Sequence, residues 1–367
     1  MESYVLRLTV RNDNRVEAMR QDGANERGEL RLNELYLRLI GIFESWIRAN
    51  PTKISDQREL EAFGSLLYTA LFDEKIGYFF ERTSDEARRA QLYLRLELSF
   101  EEKVADLARL PWEFLYSPSR RFFLATRKDL ALSRYMALPS GLKPLAPTQG
   151  PLRMLIAASQ PGNLGYVDTE PTINGILDHL DKQLFQVDIL SVPTRENFSN
   201  ALRATKPHIL HFIGHGRFTY KQGGEIALLA SDDGENAEWV SDKDFAEYFE
   251  RGHAIPHLVF LHLCEGGSVD FKDDFAGVAP KLILTGVQAV IAMQYPIAND
   301  PATVFSMTFY REIAGGRPVD TALQTSRYEM TRRSFSSQKE KGYNNPIFGI
   351  PVLYMRSRAA VIQPTAE

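Results

Sequence analysis

Two short apolar runs constrain this chain more than any other feature. Pro207 to Ile213 is followed by Gly214, and His257 to Leu263 is preceded by Pro256. Runs of this length, with proline or glycine at a boundary, suit strands buried on both faces of a parallel sheet. Each run stops at a reactive side chain with glycine close behind. His215 and Gly216 follow the first; Cys264, Glu265, Gly266 and Gly267 follow the second. In open α/β sheets functional groups collect where strands meet the loops at their carboxyl ends. Two neighbouring parallel strands therefore place His215 and Cys264 side by side.

The surrounding sequence predicts that sheet. Met154 to Ala158, Gln186 to Val192 and Ala289 to Met293 read as further strands, and Val352 to Met355 as a last one. Between them lie helical patterns at Thr169 to Leu184, Arg195 to Ala204 (capped by Thr194), Asp242 to Arg251, Phe275 to Leu284, Ala302 to Ala314 and Val319 to Arg332. A hairpin-like stretch runs through Ile226 to Leu229. Such alternation implies a mainly parallel sheet with helices on both faces.

The first part of the chain reads as a separate α/β unit, residues 1–138. Tyr4 to Val10 alternates as a strand, and three helices follow at Leu30 to Ile47, Glu59 to Phe72 and Lys75 to Arg89. Tyr93 to Leu98 alternates cleanly and predicts a strand with one wet face. Pro111 opens a short helical turn, and Phe122 to Ala125 and Leu130 to Arg134 are short strands. This part contains neither His nor Cys, so it predicts a scaffold rather than a second reactive site. Residues 139–151 are dense in Pro and Gly and read as a linker. Residues 152–358 form the second unit and 359–367 a tail. Ser334 to Asn345 and Glu265 to Asp274 read as polar loops.

Composition excludes several functions. Lys plus Arg total 43 against 47 Asp plus Glu, a net charge of −4, which does not point to nucleic acid as a direct partner. No apolar run approaches the ~18 residues of a membrane span, and the N-terminus lacks the pattern of a signal peptide. One cysteine and no export signal point to the cytoplasm. A single thiol builds no thiolate zinc site, and neither a metal nor a cofactor is expected. There is no P-loop, no H-E-x-x-H and no G-x-S-x-G. Gly162 to Gly165 makes a glycine turn, a weak nucleotide signal by itself. A lone cysteine is often a small buried hydrophobe, but Glu265, the Gly266-Gly267 pair and the upstream His-Gly strand end point to a nucleophile. An imidazole beside a thiol takes its proton, supplies a thiolate, and later protonates the leaving amine. His211 reads as a buried, hydrogen-bonded histidine. The group that orients His215 is open, with Asp232 and Asp233 as candidates.

The stretches His211-Phe212-Ile213-Gly214-His215-Gly216 and Phe260-Leu261-His262-Leu263-Cys264-Glu265-Gly266-Gly267 resemble the CHAT family of caspase-like cysteine proteases, related to separase and the caspases of clan CD. Gln288 to Ile297, Gly315 to Leu323, Leu110 to Tyr116 and the closing Ile350 to Tyr354 fit as well. The resemblance covers roughly residues 90 to 356. The 49 positions from His215 to Cys264 match the caspase spacing. One departure is Leu263, preceded by His262, where family members commonly carry a small or polar residue before the cysteine.

The resemblance implies a caspase-like three-layer sandwich with a mainly parallel sheet, preceded by a scaffold half that is itself pseudo-caspase-like. It implies a cysteine endopeptidase with His215 and Cys264 as the catalytic pair, and Gly216 and Cys264 as oxyanion donors through their backbone N–H groups. By position, the substrate pocket draws on Gln294, Tyr295, Asn299 and Asp300, with Arg217 and Glu265 nearby. Asp300 or Asp232 would favour a basic residue at the cut, Tyr295 and Met293 an apolar one. An acidic preference would need Arg217. The resemblance further implies a protein substrate, a separate activator, and a triggered role in prokaryotic antiviral defence or programmed cell death, for example on a gasdermin-like pore former. The alternative is a catalytically silent interaction module.

Overall fold

Every residue of the strand Ile209–Gly214 is buried, which requires cover on both faces of its sheet. The strands Leu152–Ala158 and Ala289–Met293 are buried in the same way, one residue excepted. In the computed structural model of the chain, residues 3–49, 57–136, 148–219, 223–250, 255–263, 278–295, 297–332, 346–356, 362 and 364–365 are described. They form an α/β protein of two compact units, Met1–Ala137 with Leu323–Ile350, and Leu138–Ala322 with Pro351–Glu367.

The first unit runs β1 (Ser3–Val10), β2 (Arg15–Arg20), β3 (Asn25–Glu29), α1 (Glu34–Ala49), α2 (Gln57–Leu71), α3 (Glu74–Arg89), β4 (Tyr93–Phe100), the short pair β5 (Tyr116–Ser117) and β6 (Phe122–Phe123), and β7 (Leu130–Tyr135). Its strands lie in the order β3-β2-β1-β4-β7. β1, β4 and β7 are parallel, and β2 and β3 add an antiparallel meander. The meander escapes the sequence reading because Arg15 to Glu29 is rich in charge. Its signal is the buried pair Val16 and Ala18, with Gly23 at φ +89° closing the turn. Asp73 caps α3 through Ile76 N at 2.9 Å and holds β3 through Glu29 N at 2.8 Å.

β4 corrects one expectation. Its alternation does not mark a wet face, because Leu94 to Ser99 are all buried. The polar positions form a paired layer instead: Arg7 donates to Glu97 Oε2 from Nε at 2.9 Å and from Nη2 at 2.6 Å.

Pro111 opens the expected turn, a 3₁₀ helix over Trp112–Phe114. Trp112 Nε1 donates to the Leu107 carbonyl at 2.8 Å. Glu113 is 1% exposed and accepts from Arg134 Nε at 3.2 Å and Nη2 at 2.5 Å. Arg327, with no exposed surface, places Nη2 4.0 Å from the same carboxylate, and burial pushes its pKa down to about 10. Gln324 Nε2 donates to the Ala125 and Arg127 carbonyls at 2.8 and 2.7 Å. These bonds account for the grouping of Leu323–Ile350 with the first unit, although composition alone keeps residues 152–358 together.

The second unit comprises β8 (Thr148–Gln149), β9 (Leu152–Ala158), α4 (Glu170–His179), β10 (Phe185–Leu190), α5 (Arg195–Thr205), β11 (Ile209–Gly214), β12 (Gly216–Thr219), β13 (Gly223–Leu229), β14 (Ala237–Ser241), α6 (Asp242–Glu250), β15 (Leu258–Leu263), α7 (Val278–Thr285), β16 (Ala289–Met293), α8 (Asn299–Ala314), the start of α9 (Val319–Arg332), β17 (Pro351–Met355) and β18 (Pro364–Thr365). Thr194 caps α5 by accepting from Asn197 N at 3.2 Å, and Lys206, at φ +44°, ends it before Pro207. α4 is shorter than expected because a turn at Asp181 stops it. There Asp181 Oδ1 accepts from Gln183 N at 2.8 Å and its carbonyl from Leu184 N at 3.0 Å.

The large sheet of this unit has the order β10-β9-β11-β15-β16-β17. All neighbours are parallel except β16 and β17. Within this unit the expected parallel sheet therefore includes one antiparallel strand, β17. The chain steps from β9 to β10 on one side, then crosses back to β11 on the other. The carboxyl ends of β9 and β11 thus flank a topological switch point, where open α/β sheets form their crevice. The expected linker 139–151 lies largely outside the described residues, as do Ser334 to Asn345, Glu265 to Asp274 and most of the tail.

Candidate active site

The register of β11 and β15 sets the site. The two strands pair in parallel from Ile209 with Leu258 to Gly214 with Leu263. His215 is the next residue after β11, and Cys264 the next after β15 in sequence. Cys264 and Glu265 lie outside the described residues. Gly216 begins β12 and pairs with Ile226 of β13, and the His215 carbonyl accepts from Ala227 N at 3.0 Å. His215 is thus held between the end of one sheet and the start of a second, the antiparallel β12-β13-β14.

His215 is 1% exposed, and among the described residues neither ring nitrogen has a hydrogen-bond partner. Burial lowers its pKa below the ordinary histidine value; the Gly165 backbone acts in the opposite sense but makes no well-formed hydrogen bond to the ring. The imidazole is therefore neutral at pH 7, the form that accepts a proton. A buried polar group without a partner is uncommon in native proteins and calls for an explanation. Two more occur at neighbouring strand ends. Ser159, directly after β9, is fully buried, and among the described residues neither its Oγ nor His262 Nε2 on β15 has a hydrogen-bond partner. Near the carboxyl ends of three adjacent strands, buried polar atoms thus have no partner among the described residues.

Neither acidic candidate orients His215. Asp232 accepts from Asn197 Nδ2 at 2.9 Å, and Asp233 from Ser231 Oγ at 2.8 Å and Glu235 N at 2.9 Å. The Gly162–Gly165 turn is tied to the β13–β14 turn: Gly162 N and Asn163 N donate to the Gly234 and Glu235 carbonyls at 2.8 and 2.9 Å. Those two amides are not available to cradle a phosphate.

His211 is buried and hydrogen-bonded, as its place in the run predicts. Its Nδ1 lies 2.8 Å from Tyr310 Oη on α8, and its Nε2 3.3 Å from His262 Nδ1. Burial drives the Tyr310 pKa well above its ordinary value, so the phenol keeps its proton. Burial holds His211 well below the ordinary histidine value and His262 at about 4.

The proposed pocket residues divide. Arg217 lies on β12, where its Nε donates to Glu225 Oε2 at 2.7 Å and its guanidinium stands 4.1 Å from the Trp239 ring. Gln294 and Tyr295 directly follow β16 and are buried, 4% and 3% exposed. Asn299 and Asp300 occupy the first turn of α8 rather than a loop; Asn299 is half-buried and Asp300 exposed. Sequence reasoning did not single out Ser159, Glu225 or Trp239. Ser159 carries a usable signal, a polar residue closing the run Met154 to Ala158, the same pattern that marks His215.

A CHAT domain family model matches residues 61–346. No curated protein sequence matches significantly. Among solved structures the chain is similar to a structure of the Saccharomyces cerevisiae separase–securin complex (15% identity, TM-score 0.39), covering 90% of this chain and 20% of that one. It is also similar to the Arg-specific cysteine proteinase gingipain R (10% identity, TM-score 0.44, 90% and 76% covered). The complex of Porphyromonas gingivalis RgpB pro- and mature domains is a third (11% identity, TM-score 0.46, 90% and 78% covered). Among the described residues no helix is long and apolar enough to cross a membrane.

Proposed function

The chain belongs to the CHAT domain family, and from that premise we propose that it is a cysteine endopeptidase in which His215 and Cys264 act as one catalytic pair. The observation that carries the proposal is the parallel register of β11 and β15, level at Gly214 and Leu263. It supports a reading in which the residues that follow, 215 and 264, leave adjacent strands side by side. The buried, neutral imidazole of His215, with no well-formed hydrogen bond among the described residues, supports it further.

In this mechanism His215 takes the Cys264 thiol proton, and the thiolate attacks the carbonyl carbon of the scissile peptide bond. The carbonyl oxygen becomes an oxyanion that the Gly216 and Cys264 N–H groups stabilise. As the intermediate collapses, the C–N bond breaks and His215 delivers its proton to the leaving amine. Water, deprotonated by His215, then hydrolyses the thioester and releases the acid. Glycine at 216 keeps a side chain away from the incoming carbonyl. The substrate is a protein, and a separate activator triggers cleavage in antiviral defence or programmed cell death, with a gasdermin-like pore former as the kind of target. Support for this biological setting comes from the family resemblance alone.

The test is labelling of Cys264 by a thiol-reactive peptide probe, with and without His215→Ala, beside cleavage of an unbiased peptide library. Probe labelling that needs His215, with cleavage abolished in Cys264→Ala, supports the endopeptidase. A cysteine that labels equally in both proteins, with no peptide cut even in the presence of cellular partners, supports the silent interaction module instead.

A further inference from the structure

Arg217 follows Gly216 on β12 and stands directly across from Glu225 on β13. Glu225 is only 3% exposed, and a carboxylate so buried needs a compensating charge. Among the described residues Arg217 supplies it, Nε to Oε2 at 2.7 Å. The other face of the same guanidinium covers Trp239 at 4.1 Å, within the range of a cation–π contact. Trp239 is in register with Ala227, the residue whose N–H holds the His215 carbonyl at 3.0 Å. One side chain on β12 is therefore fixed to both other strands of the small sheet. Gly216 sits between that anchored side chain and His215.

We infer that Arg217 is a positioning residue, which holds β12 so that the Gly216 N–H is aimed at the developing oxyanion, rather than a reader of substrate charge. The inference rests on the endopeptidase reading above. An oxyanion donor works only within a few tenths of an ångström of its target, and a strand start with glycine has no side chain of its own to fix it. A guanidinium whose Nε is bonded to Glu225 and whose face lies on Trp239 is held in the small sheet and has its charge partly balanced there.

The test uses the full chain, a library of fluorogenic tetrapeptides differing in the residue before the cut, and hydrogen exchange by mass spectrometry over residues 215–229. Arg217→Met is expected to lower kcat about 10- to 100-fold on all cleaved peptides alike, with KM within about threefold, the size expected for a misplaced oxyanion donor. Exchange at Ala227 should rise about tenfold, and Glu225→Gln should change kcat and exchange in the same direction. Arg217→Lys, which keeps the charge, should recover part of both. A loss confined to peptides with an acidic residue before the cut, and carried by KM, overturns the inference. So does unchanged exchange in Arg217→Met, or a Glu225→Gln protein that behaves like the wild type. If the wild type and Cys264→Ala are equally inert to every peptide, the endopeptidase reading fails. The exchange result then still decides whether Arg217 fixes the strand.

Discussion

Acidification should destabilise the second unit through the pair His211 and His262, and the size of the effect follows from their burial. In the unfolded chain each imidazole titrates near its ordinary value of about 6.5. In the fold His262 is held at about 4 and His211 well below its ordinary value, both chiefly by burial. Below pH 6.5 the unfolded state binds protons that the folded state refuses, so stability falls as pH falls. Between pH 7 and pH 5 the His262 imidazole costs about 2 kcal/mol by this linkage, and His211 shifts stability in the same direction. His208, pushed to about 4 by burial and the Arg153 guanidinium, is half-buried and contributes less. It is present in every protein compared and cancels. The assay is guanidinium unfolding at pH 7, 6 and 5 for the wild type and His262→Gln. The variant should be less stable at pH 7, having lost the ring that hydrogen-bonds His211, yet lose about 2 kcal/mol less than the wild type on going to pH 5. Parallel stability–pH curves for the two proteins would refute the reasoning.

Two further outcomes are expected. Glu113→Gln should cost about 3–5 kcal/mol, because it leaves the buried Arg134 and Arg327 guanidinium groups without the charge they share; thermal unfolding checks this, and a melting temperature within a degree or two of the wild type counts against it. Gly214→Ala places a Cβ 3.0 Å from the Ser159 carbonyl oxygen and from Phe212 Cε1 and 3.2 Å from Ser159 Cβ. It should cost about 1–3 kcal/mol by overpacking and slow peptide cleavage more than it lowers stability, which parallel melting and turnover measurements separate.

The runs before His215 and Cys264 made the parallel pair legible, because a strand buried on both faces has few other ways to write itself. α9 and β16 were legible to the residue for the same reason: long or strongly apolar periodicity leaves little choice. β4 was read with a wet face because alternation records which positions are polar, not whether a partner waits for them; Arg7 lies 90 residues from Glu97. The β2–β3 meander was hidden by surface charge. At the site, His215 was legible from its strand end, whereas the anchoring of Arg217 depends on Glu225 and Trp239 arriving from two later strands. Local sequence carries no trace of that meeting.

The grouping of Leu323–Ile350 with the first unit bears on how the protein is made. The chain enters that unit, leaves it after Ala137, returns at Leu323 and leaves again after Ile350. A nascent chain emerging from the ribosome can pair Glu113 with Arg134 early, but Arg327 and Gln324 reach their partners only after nearly the whole second unit has been translated. Neither unit corresponds to a stretch that scissors can excise: a fragment of residues 152–367 would carry Arg327 and Phe348 without the pocket that receives them, and a fragment of residues 1–138 would leave that pocket open. Completion of the first unit therefore waits on synthesis of Leu323–Ile350, after most of the second unit has already emerged.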